Sequence, residues 1–395
     1  MREPQKIPGF FRSWGFYRKF KKQDPNEKAI VFYSESGQDW HHLSPLIHDL
    51  TKRLGKTVCY VSSDPNDPGL HQENKNLRPF YIREGMVQIL FFQFLKVDVL
   101  VLTMLDLNHF QLKRSIHPVH YIYVFHAMGS THMVDLEDSY DHYDTVFCAG
   151  PHQKEEIRKR EELKKLPPKH LFDHGYARLE QLIEKNRAYA DSHEDNENPT
   201  ILLAPTWGDT SILNTCGLKL VETLLNAGFN LILRPHYQTL KRTPQVVKAI
   251  LGRFGDHDRF EYIDRMGETD SLFKSDLLIC DWSSMSMEYA LGLEKPVLFI
   301  DVPKRVRNPN YEDLGLEPLE IAIRKEVGKI LDPLMIETAP DLIRQLLSDP
   351  DAFKNRIKTL REKIVFNLGK SAQTGAEEIV RISENFKEKK RGASA

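Results

Sequence analysis

The chain has 395 residues, more than the ~100–200 of one ordinary domain, so two domains are expected. Hydrophobic residues make up 41% of it and charged residues 28%, which is the composition of a soluble globular protein. The 55 lysines and arginines balance 56 aspartates and glutamates, and this net charge of −1 argues against nucleic acid as a partner, because phosphate contacts need a basic excess.

Residues 1–27 form a segment in which aromatic and basic side chains interleave. Between residues 6 and 22 there are five phenylalanine or tryptophan residues and six basic ones. A helix there would place four residues on one face: Phe10, Trp14, Tyr17 and Lys21. Such a segment suits an anionic membrane surface, and it equally suits a helix packed on the domain with its cations in solvent.

Residues 28–185 are predicted to form a first α/β domain. Short, continuous apolar runs alternate with amphipathic segments, which indicates strands buried on both faces of a parallel sheet. The predicted strands are Ala29–Tyr33, Thr57–Val61, Val97–Thr103, His120–Phe125, Thr145–Ala149 and Leu171–His174. Predicted helices include Ser44–Leu54 and Gln153–Leu163.

A polar stretch, Glu184–Pro199, interrupts the alternation and is interpreted as a linker. Residues 198–370 are then predicted to form a second α/β domain. Its predicted elements are strands Ile201–Ala204, Asn230–Arg234, Asp276–Cys280 and Pro296–Ile300, and helices Leu213–Asn226, Thr243–Phe254 and Ser284–Leu293. Residues 371–395 are expected to form a C-terminal helix with a basic tail that returns to the N-terminal domain.

Cysteine usage and hydropathy predict a cytoplasmic protein. The four cysteines are widely separated and include no CxxC pair, which fits a reducing compartment. No apolar leader is visible at the N-terminus, and the longest apolar stretch, Val87–Leu105, is interrupted by polar residues. Attachment to the inner face of the cytoplasmic membrane through residues 1–22 stays open.

The strongest candidate site is a junction between a strand and a helix. A buried strand ends at Asp281, and a helix follows Ser283 and Ser284. Such a junction offers backbone N–H groups, a helix dipole and two hydroxyls to an anion, at the sheet edge where open α/β folds place ligands. An ordinary helix cap gives the same pattern, so phosphate binding and capping both remain open.

Other strand ends carry polar residues suited to phosphate chemistry. Arg234 and His236 follow one strand, where an arginine can grip phosphate oxygens and a histidine can donate to a leaving oxygen. Thr206 lies in an Ala-Pro-Thr-Trp turn and could contact a nucleotide. His126 follows another strand, where a general base would face a cleft. Each has a competing interpretation: Arg234 and His236 could mark a solvated strand end, Thr206 a tight turn, and His126 a structural histidine.

Several chemistries are excluded by motif. The sequence has no GxGxxG, GxxxxGK[ST], HExxH or GxSxG pattern. Near the Asp281 junction the only further carboxylate is Glu288. We therefore expect no cofactor and no dependence on Mg²⁺.

Five motifs taken together resemble the CDP-glycerol glycerophosphotransferase family, which includes bacterial teichoic-acid and capsule polymerases. They are Phe125-His126-Ala127, Gly175-Tyr-Ala-Arg178, Ala204-Pro-Thr-Trp, Arg234-Pro-His236 and Asp281-Trp-Ser-Ser. The resemblance covers residues 120 to 305, roughly, and implies a GT-B fold of two Rossmann-like domains facing across a cleft. It also implies transfer of a polyol phosphate, above all glycerol phosphate, from a CDP-polyol to a hydroxyl of a lipid-linked glycan or polyol-phosphate acceptor, with release of CMP.

The same resemblance assigns roles to individual residues. His126 would deprotonate the acceptor hydroxyl, and His236 would act near the donor pyrophosphate. The donor-binding group would be Arg234, Thr206, Asp281, Ser283, Ser284 and Arg178. The sequence departs from the family pattern after His126, where Ala-Met-Gly replaces Gly-Thr-Pro, so the acceptor side is altered. A GT-B glycosyltransferase using a nucleotide sugar and a non-catalytic nucleotide-binding protein are the alternatives.

Overall fold

A computed structural model describes residues 9–105, 107–109, 112–192, 198–264 and 269–392. They divide into two compact units. Of the described residues, unit 1 takes those within 1–126, 135–178 and 365–395, and unit 2 takes 127–134 and those within 179–364. The chain thus leaves unit 1 directly after His126 and again after Arg178.

Unit 1 is built on a seven-stranded parallel sheet with the order β3-β2-β1-β4-β5-β6-β7. The strands are β1 Ile30–Ser34, β2 Val58–Ser62, β3 Leu77–Tyr81, β4 Val99–Leu102, β5 His120–Val124, β6 Thr145–Cys148 and β7 His170–Asp173. The helices are α1 Gly9–Lys21, α2 Trp40–His48 with a π-helical turn Asp49–Arg53, a 3₁₀ turn Pro68–His71, α3 Met86–Gln93, α4 Pro151–Lys164 and α16 Ser371–Gly392. Helix α5, Ala177–Ala190, begins in unit 1 and lies in unit 2 from residue 179 onward.

Unit 2 is built on a six-stranded parallel sheet with the order β10-β9-β8-β11-β12-β13. The strands are β8 Thr200–Leu203, β9 Asn230–Leu233, β10 Phe260–Tyr262, β11 Leu277–Cys280, β12 Val297–Ile300 and β13 Gly328–Leu331. The helices are α6 Ile212–Thr215, α7 Gly217–Asn226, α8 Tyr237–Arg242, α9 Pro244–Phe254, α10 Asp270–Lys274, α11 Met285–Leu293, α12 Leu319–Ala322, α13 Arg324–Val327, α14 Ala339–Leu347 and α15 Pro350–Ile364, with 3₁₀ turns Tyr311–Leu314 and Pro333–Thr338.

Both faces of the unit 1 sheet are covered, which explains why its strands are apolar throughout. Along β1, Val31 and Tyr33 enter one hydrophobic cluster, whereas Ile30 and Phe32 enter the cluster on the other face. Successive side chains point to opposite faces of a strand, so a sheet covered on both sides needs an unbroken apolar run.

The N-terminal helix α1 packs into this core. Tyr17 and Phe20 are buried, the Tyr17 hydroxyl donates to the Leu90 carbonyl at 3.3 Å, and Phe20 meets Phe91 edge-on at 5.3 Å. Lys21, predicted on the aromatic face, is exposed, with its ammonium 5.6 Å from the Tyr17 ring centroid. Phe10 was also predicted on that face, but its side chain lies outside the described part of the chain. Residues 1–8 lie outside it as well.

The C-terminal helix α16 belongs to unit 1, where Ala376 and Ile379 enter the core beneath α2. Its Glu378 joins it to β7, because the carboxylate accepts hydrogen bonds from His170 at 2.8 Å and from Arg381. Burial acts to raise the pKa of Glu378, but the hydrogen bonds from Arg381 and His170 outweigh burial and lower it.

The predicted strands lie within two residues of observed ones, but three strands were missed. β3 carries Arg78 and Pro79 at the sheet edge, where a proline costs no ladder bond, and β10 and β13 are short edge strands. The predicted helix Leu213–Asn226 is broken at Cys216 into α6 and α7.

Two other predictions require correction. The linker predicted at Glu184–Pro199 is wrong as far as Ala190, because α5 continues through this polar stretch; residues 193–197 lie outside the described part. The helix predicted at Ser44–Leu54 begins earlier, at Trp40, since burial of this ring outweighs the interior proline.

Candidate active site

The carboxyl ends of four strands meet at one edge of unit 2. β8 pairs with both β9 and β11, and β11 pairs with β12, so that Leu203 lies opposite Leu233 and Ile279, and Cys280 lies opposite Phe299. The loops after these strands carry Thr206, Arg234 and Asp281. The parallel register therefore brings residues that are far apart in sequence to one edge.

Asp281 fastens the loop after β8. Its side chain is only 1% exposed, and its two oxygens accept hydrogen bonds from the backbone N–H groups of Thr206 at 2.8 Å and Ile212 at 3.3 Å. Because both oxygens face the loop, the geometry fits a positioning role for this carboxylate better than contact with an anionic ligand.

Arg234 and His236 follow β9, but their side chains differ in burial and in hydrogen-bond partner. The Arg234 guanidinium is partly buried and donates to the Ser271 hydroxyl at 2.9 Å. His236 is exposed, and its Nδ1 accepts from the Gln238 backbone N–H at 3.0 Å, which leaves Nε2 on the outer side. Partial burial of its ring, and then the charge of Arg305, lower the pKa of His236 from its ordinary value.

The two serines precede α11. Ser284 is exposed and occupies the capping position, but its side chain makes no capping hydrogen bond. The Ser283 carbonyl accepts from the backbone N–H and the hydroxyl of Ser286, at 3.1 and 2.8 Å. The capping expected from the sequence is therefore not formed by the Ser284 hydroxyl.

A cluster of aromatic and cationic side chains lies on the same edge, and the sequence pattern did not reveal it. The guanidinium carbons of Arg305 and Arg242 lie 4.4 and 4.9 Å from the Trp207 ring centroid. The His236 ring is 6.2 Å from Trp207. Trp207 belongs to the Ala-Pro-Thr-Trp turn noted in the sequence, whereas the two arginines carry no recognisable spacing.

In unit 1, His126 lies two residues after the end of β5 and is exposed. Its Nδ1 is 3.2 Å from the Tyr123 hydroxyl, and its carbonyl accepts from the Tyr176 hydroxyl at 3.1 Å. A hydrogen bond at Nδ1 fixes the ring and leaves Nε2 for a ligand or a proton, which is the arrangement that a general base needs.

His42, at the start of α2, is a neighbour of His126 that the sequence did not indicate. Its ring lies 6.2 Å from the His126 ring and 6.0 Å from the Tyr176 ring. Burial, followed by the charges of Arg178 and His126, lowers the pKa of His42 well below its ordinary value. Arg178 thus lies near His42 in unit 1, whereas the other residues predicted to bind the donor belong to unit 2.

The segment after His126, where the sequence departs from the family pattern, belongs to unit 2 and is tied to it by Glu320. The Glu320 Oε1 accepts from the Ser130 backbone N–H at 2.8 Å. A Cβ on Gly129 would lie 2.2 Å from the same oxygen, so a larger residue here would have to displace the Glu320 carboxylate.

The described residues contain neither a cluster of metal ligands nor a membrane-spanning helix. Within them, no group of three or more histidine, cysteine or acidic residues is arranged to hold a metal ion. Among the same residues, no helix has the length and apolar character required to cross a membrane.

Comparison with known proteins identifies the family. The model of the CDP-glycerol:poly(glycerophosphate) glycerophosphotransferase family matches residues 16–303. The chain therefore belongs to this family, and it is a transferase of the CDP-glycerol glycerophosphotransferase type. The family and the enzyme class predicted from the sequence are confirmed. No match was found among curated protein sequences.

Solved structures confirm the predicted GT-B fold class. A histidine-to-asparagine variant of the wall teichoic acid polymerase TagF, soaked with CDPG, has a TM-score of 0.60 and 14% identity, covering 97% of this chain and 99% of its own. A UDP-N-acetylglucosamine 2-epimerase gives a TM-score of 0.55 at 14% identity, over 89% and 95% of the two chains. A glycosyltransferase from Rickettsia africae gives 0.53 at 12% identity, over 91% and 99%.

Proposed function

We propose that the protein transfers glycerol phosphate from CDP-glycerol to a hydroxyl of a lipid-linked glycan or polyol-phosphate acceptor and releases CMP. Family membership supports the donor and the phosphotransfer. His126 carries the finer proposal, because its ring is exposed while its Nδ1 lies 3.2 Å from the Tyr123 hydroxyl. An imidazole oriented through Nδ1 offers Nε2 to the acceptor hydroxyl.

The reaction is a displacement at the phosphorus that carries glycerol. The acceptor hydroxyl gives its proton to His126 Nε2, and its oxygen forms a bond to that phosphorus. The bond from the same phosphorus to the bridging oxygen breaks, and CMP leaves with the electron pair. Such transfers depend on positioning and on stabilisation of the developing charge more than on covalent help from the protein.

The other predicted residues act on the phosphates of the donor. His236 Nε2 donates to a pyrophosphate oxygen, and the hydroxyls of Ser283 and Ser284 bind the same group. Arg234 and Arg178 supply positive charge, for which an arginine fork is well suited. Asp281 holds the turn that contains Thr206, as its two hydrogen bonds indicate.

A screen of donors tests this proposal. Ligands that bind only the folded protein raise its melting temperature according to their excess over Kd. We expect CDP-glycerol and CMP to raise the melting temperature, because a ligand at ten times its Kd stabilises the folded protein by ~1.4 kcal/mol. UDP- and GDP-sugars at the same concentration should leave the melting temperature within about 1 °C of its value without ligand. A shift with nucleotide sugars alone would favour a glycosyltransferase, and no shift with any ligand would contradict the proposed donor.

We also propose that α1 attaches the protein electrostatically to the inner face of the cytoplasmic membrane. The aromatic residues Tyr17 and Phe20 are buried in unit 1, whereas the cations of the same helix are in solvent. The surface of α1 can therefore attract anionic lipid head groups without inserting rings into the bilayer.

Vesicle flotation tests this attachment. Replacement of three exposed cations by glutamine, Arg18, Lys19 and Lys22, should release the protein from phosphatidylglycerol vesicles, since each contributes ~1 kcal/mol at such a surface. The control removes equal charge from α15, at Arg356, Lys358 and Lys363. Equal binding of the two variants would contradict the proposal.

A further inference from the structure

A cavity of about 290 Å³ opens at the carboxyl edge of unit 2, beside the residues to which donor binding is assigned. Three loops form it, those that follow β8, β11 and β12. They contribute Thr206 and Trp207, then Trp282, and finally Lys304 and Arg305. A site assembled at the ends of neighbouring parallel strands is where α/β folds bind ligands, and its volume is close to the lower limit for small-molecule pockets.

The charged side chains that line the cavity are both cations. Lys304 and Arg305 line it, and among the described residues that line it none is acidic. Of the carboxylates on the same three loops, Asp281 accepts from two backbone N–H groups, Asp301 pairs with Arg324 at 2.8 Å, and Asp209 is exposed. The charge of Asp281 acts to raise the pKa of Arg305, but burial outweighs it. Within the described part of the chain, Arg305 has no carboxylate within salt-bridge distance.

The Arg305 guanidinium is held in place before any ligand arrives. It stacks on Trp207 with 4.4 Å between its central carbon and the ring centroid, while Arg242 lies 4.9 Å from the same ring. Stacking on an indole orients the planar fork and leaves its N–H groups at the edge for an acceptor. Burial, the main cause, lowers the pKa of Arg305 from its ordinary value, as expected for a cation withdrawn from water.

Arg305 is half-buried, is stacked on a tryptophan and has no carboxylate within salt-bridge distance among the described residues. Such an arginine calls for an anionic ligand. We propose that this cavity binds a phosphate group of a polyol-phosphate ligand, with Arg305 as the main contact and Lys304 and the Thr206 hydroxyl as additional donors. This inference rests on the proposed function and adds a subsite to it. The phosphate could come from the donor pyrophosphate or from a phosphodiester of the acceptor chain, and the two sources are experimentally separable.

Isothermal titration calorimetry with purified full-length protein tests the subsite. The probes are CDP-glycerol, CMP and a short poly(glycerol phosphate) oligomer. Arg305→Gln should weaken at least one phosphate ligand by about tenfold, since a charge-assisted hydrogen bond contributes at that level, and Arg305→Lys should recover part of it. Arg356→Gln is the matched control, because Arg356 is an exposed arginine stacked 5.2 Å from Phe353 and does not line the cavity.

The pattern of losses identifies the source of the phosphate. A loss confined to CDP-glycerol and CMP would place the donor phosphates in the cavity, whereas a loss confined to the oligomer would place the acceptor chain there. If all three affinities stay within twofold of those of Arg356→Gln, with melting temperatures unchanged, the proposal is overturned. Wild-type protein that binds phosphate through Arg305 but transfers nothing would refute the proposed function and leave the subsite standing.

Discussion

Replacing Asp281 by asparagine should destabilise unit 2 and weaken donor binding together. The carboxylate is 1% exposed and accepts backbone hydrogen bonds from Thr206 and Ile212. Asparagine keeps one acceptor oxygen but turns an NH₂ group toward the second N–H, which leaves two buried donors facing each other. Hydrogen bonds to charged groups contribute about 1.5–3 kcal/mol each, so we expect a loss of about 2–4 kcal/mol.

Differential scanning calorimetry and donor titration measure the two effects. For a domain of this size each kcal/mol lowers the melting temperature by about 2–4 °C, so the transition of unit 2 should fall by about 4–16 °C. Affinity for CDP-glycerol should fall by about fivefold or more, because the turn that contains Thr206 loses its preorganisation.

Asp209→Asn provides the control, since this carboxylate lies on the same loop but is exposed. It changes the net charge equally, and we expect its melting temperature to stay within about 1 °C of wild type, as is usual for surface substitutions. A decrease below 2 °C for Asp281→Asn, or equal decreases for both variants, would refute the assignment of Asp281 as the residue that fastens the loop.

Two further predictions concern unit 1. Tyr123→Phe removes the hydroxyl next to Nδ1 of His126. Because one hydrogen bond is lost, kcat should fall by about two- to tenfold while KM for CDP-glycerol stays unchanged. An unchanged kcat would contradict the orienting role of Tyr123. Because the pKa of Glu378 is lowered in the folded state, its stabilising contribution is complete above the unfolded pKa of ~4.3 and is lost as pH falls through the folded pKa. Urea unfolding of Glu378→Gln should therefore depend less on pH below that value, and identical pH profiles would contradict the linkage.

The sequence predicts the central strands well because burial on both faces demands continuous apolar runs. β1 and β11 show this, and their ends were located within one residue. β3 escaped because its edge position tolerates Arg78 and Pro79, which interrupt the apolar pattern. An edge strand need not be apolar throughout, so the hydrophobic pattern of the sequence indicates its position poorly.

The residues of the candidate site also differ in whether the sequence could indicate them. Asp281 and His126 could be proposed from the sequence because each lies within two residues of the end of a buried strand. His42 could not, since it lies 84 positions before His126 and only the sheet order β1-β4-β5 brings the loop after β1 near the loop after β5. Arg305 has no motif either, and its relation to Trp207 depends on the pairing of β8, β11 and β12.

Single-turnover release of CMP from CDP-glycerol, in the presence of a lipid-linked acceptor, tests the central claim most directly. His126→Asn should lower the transfer rate by about 10²–10⁴-fold, the contribution of a general base, while its affinity for CDP-glycerol stays within about threefold of wild type. A variant that retains transfer within tenfold of wild type, or one that loses donor binding along with transfer, would contradict the role assigned to His126.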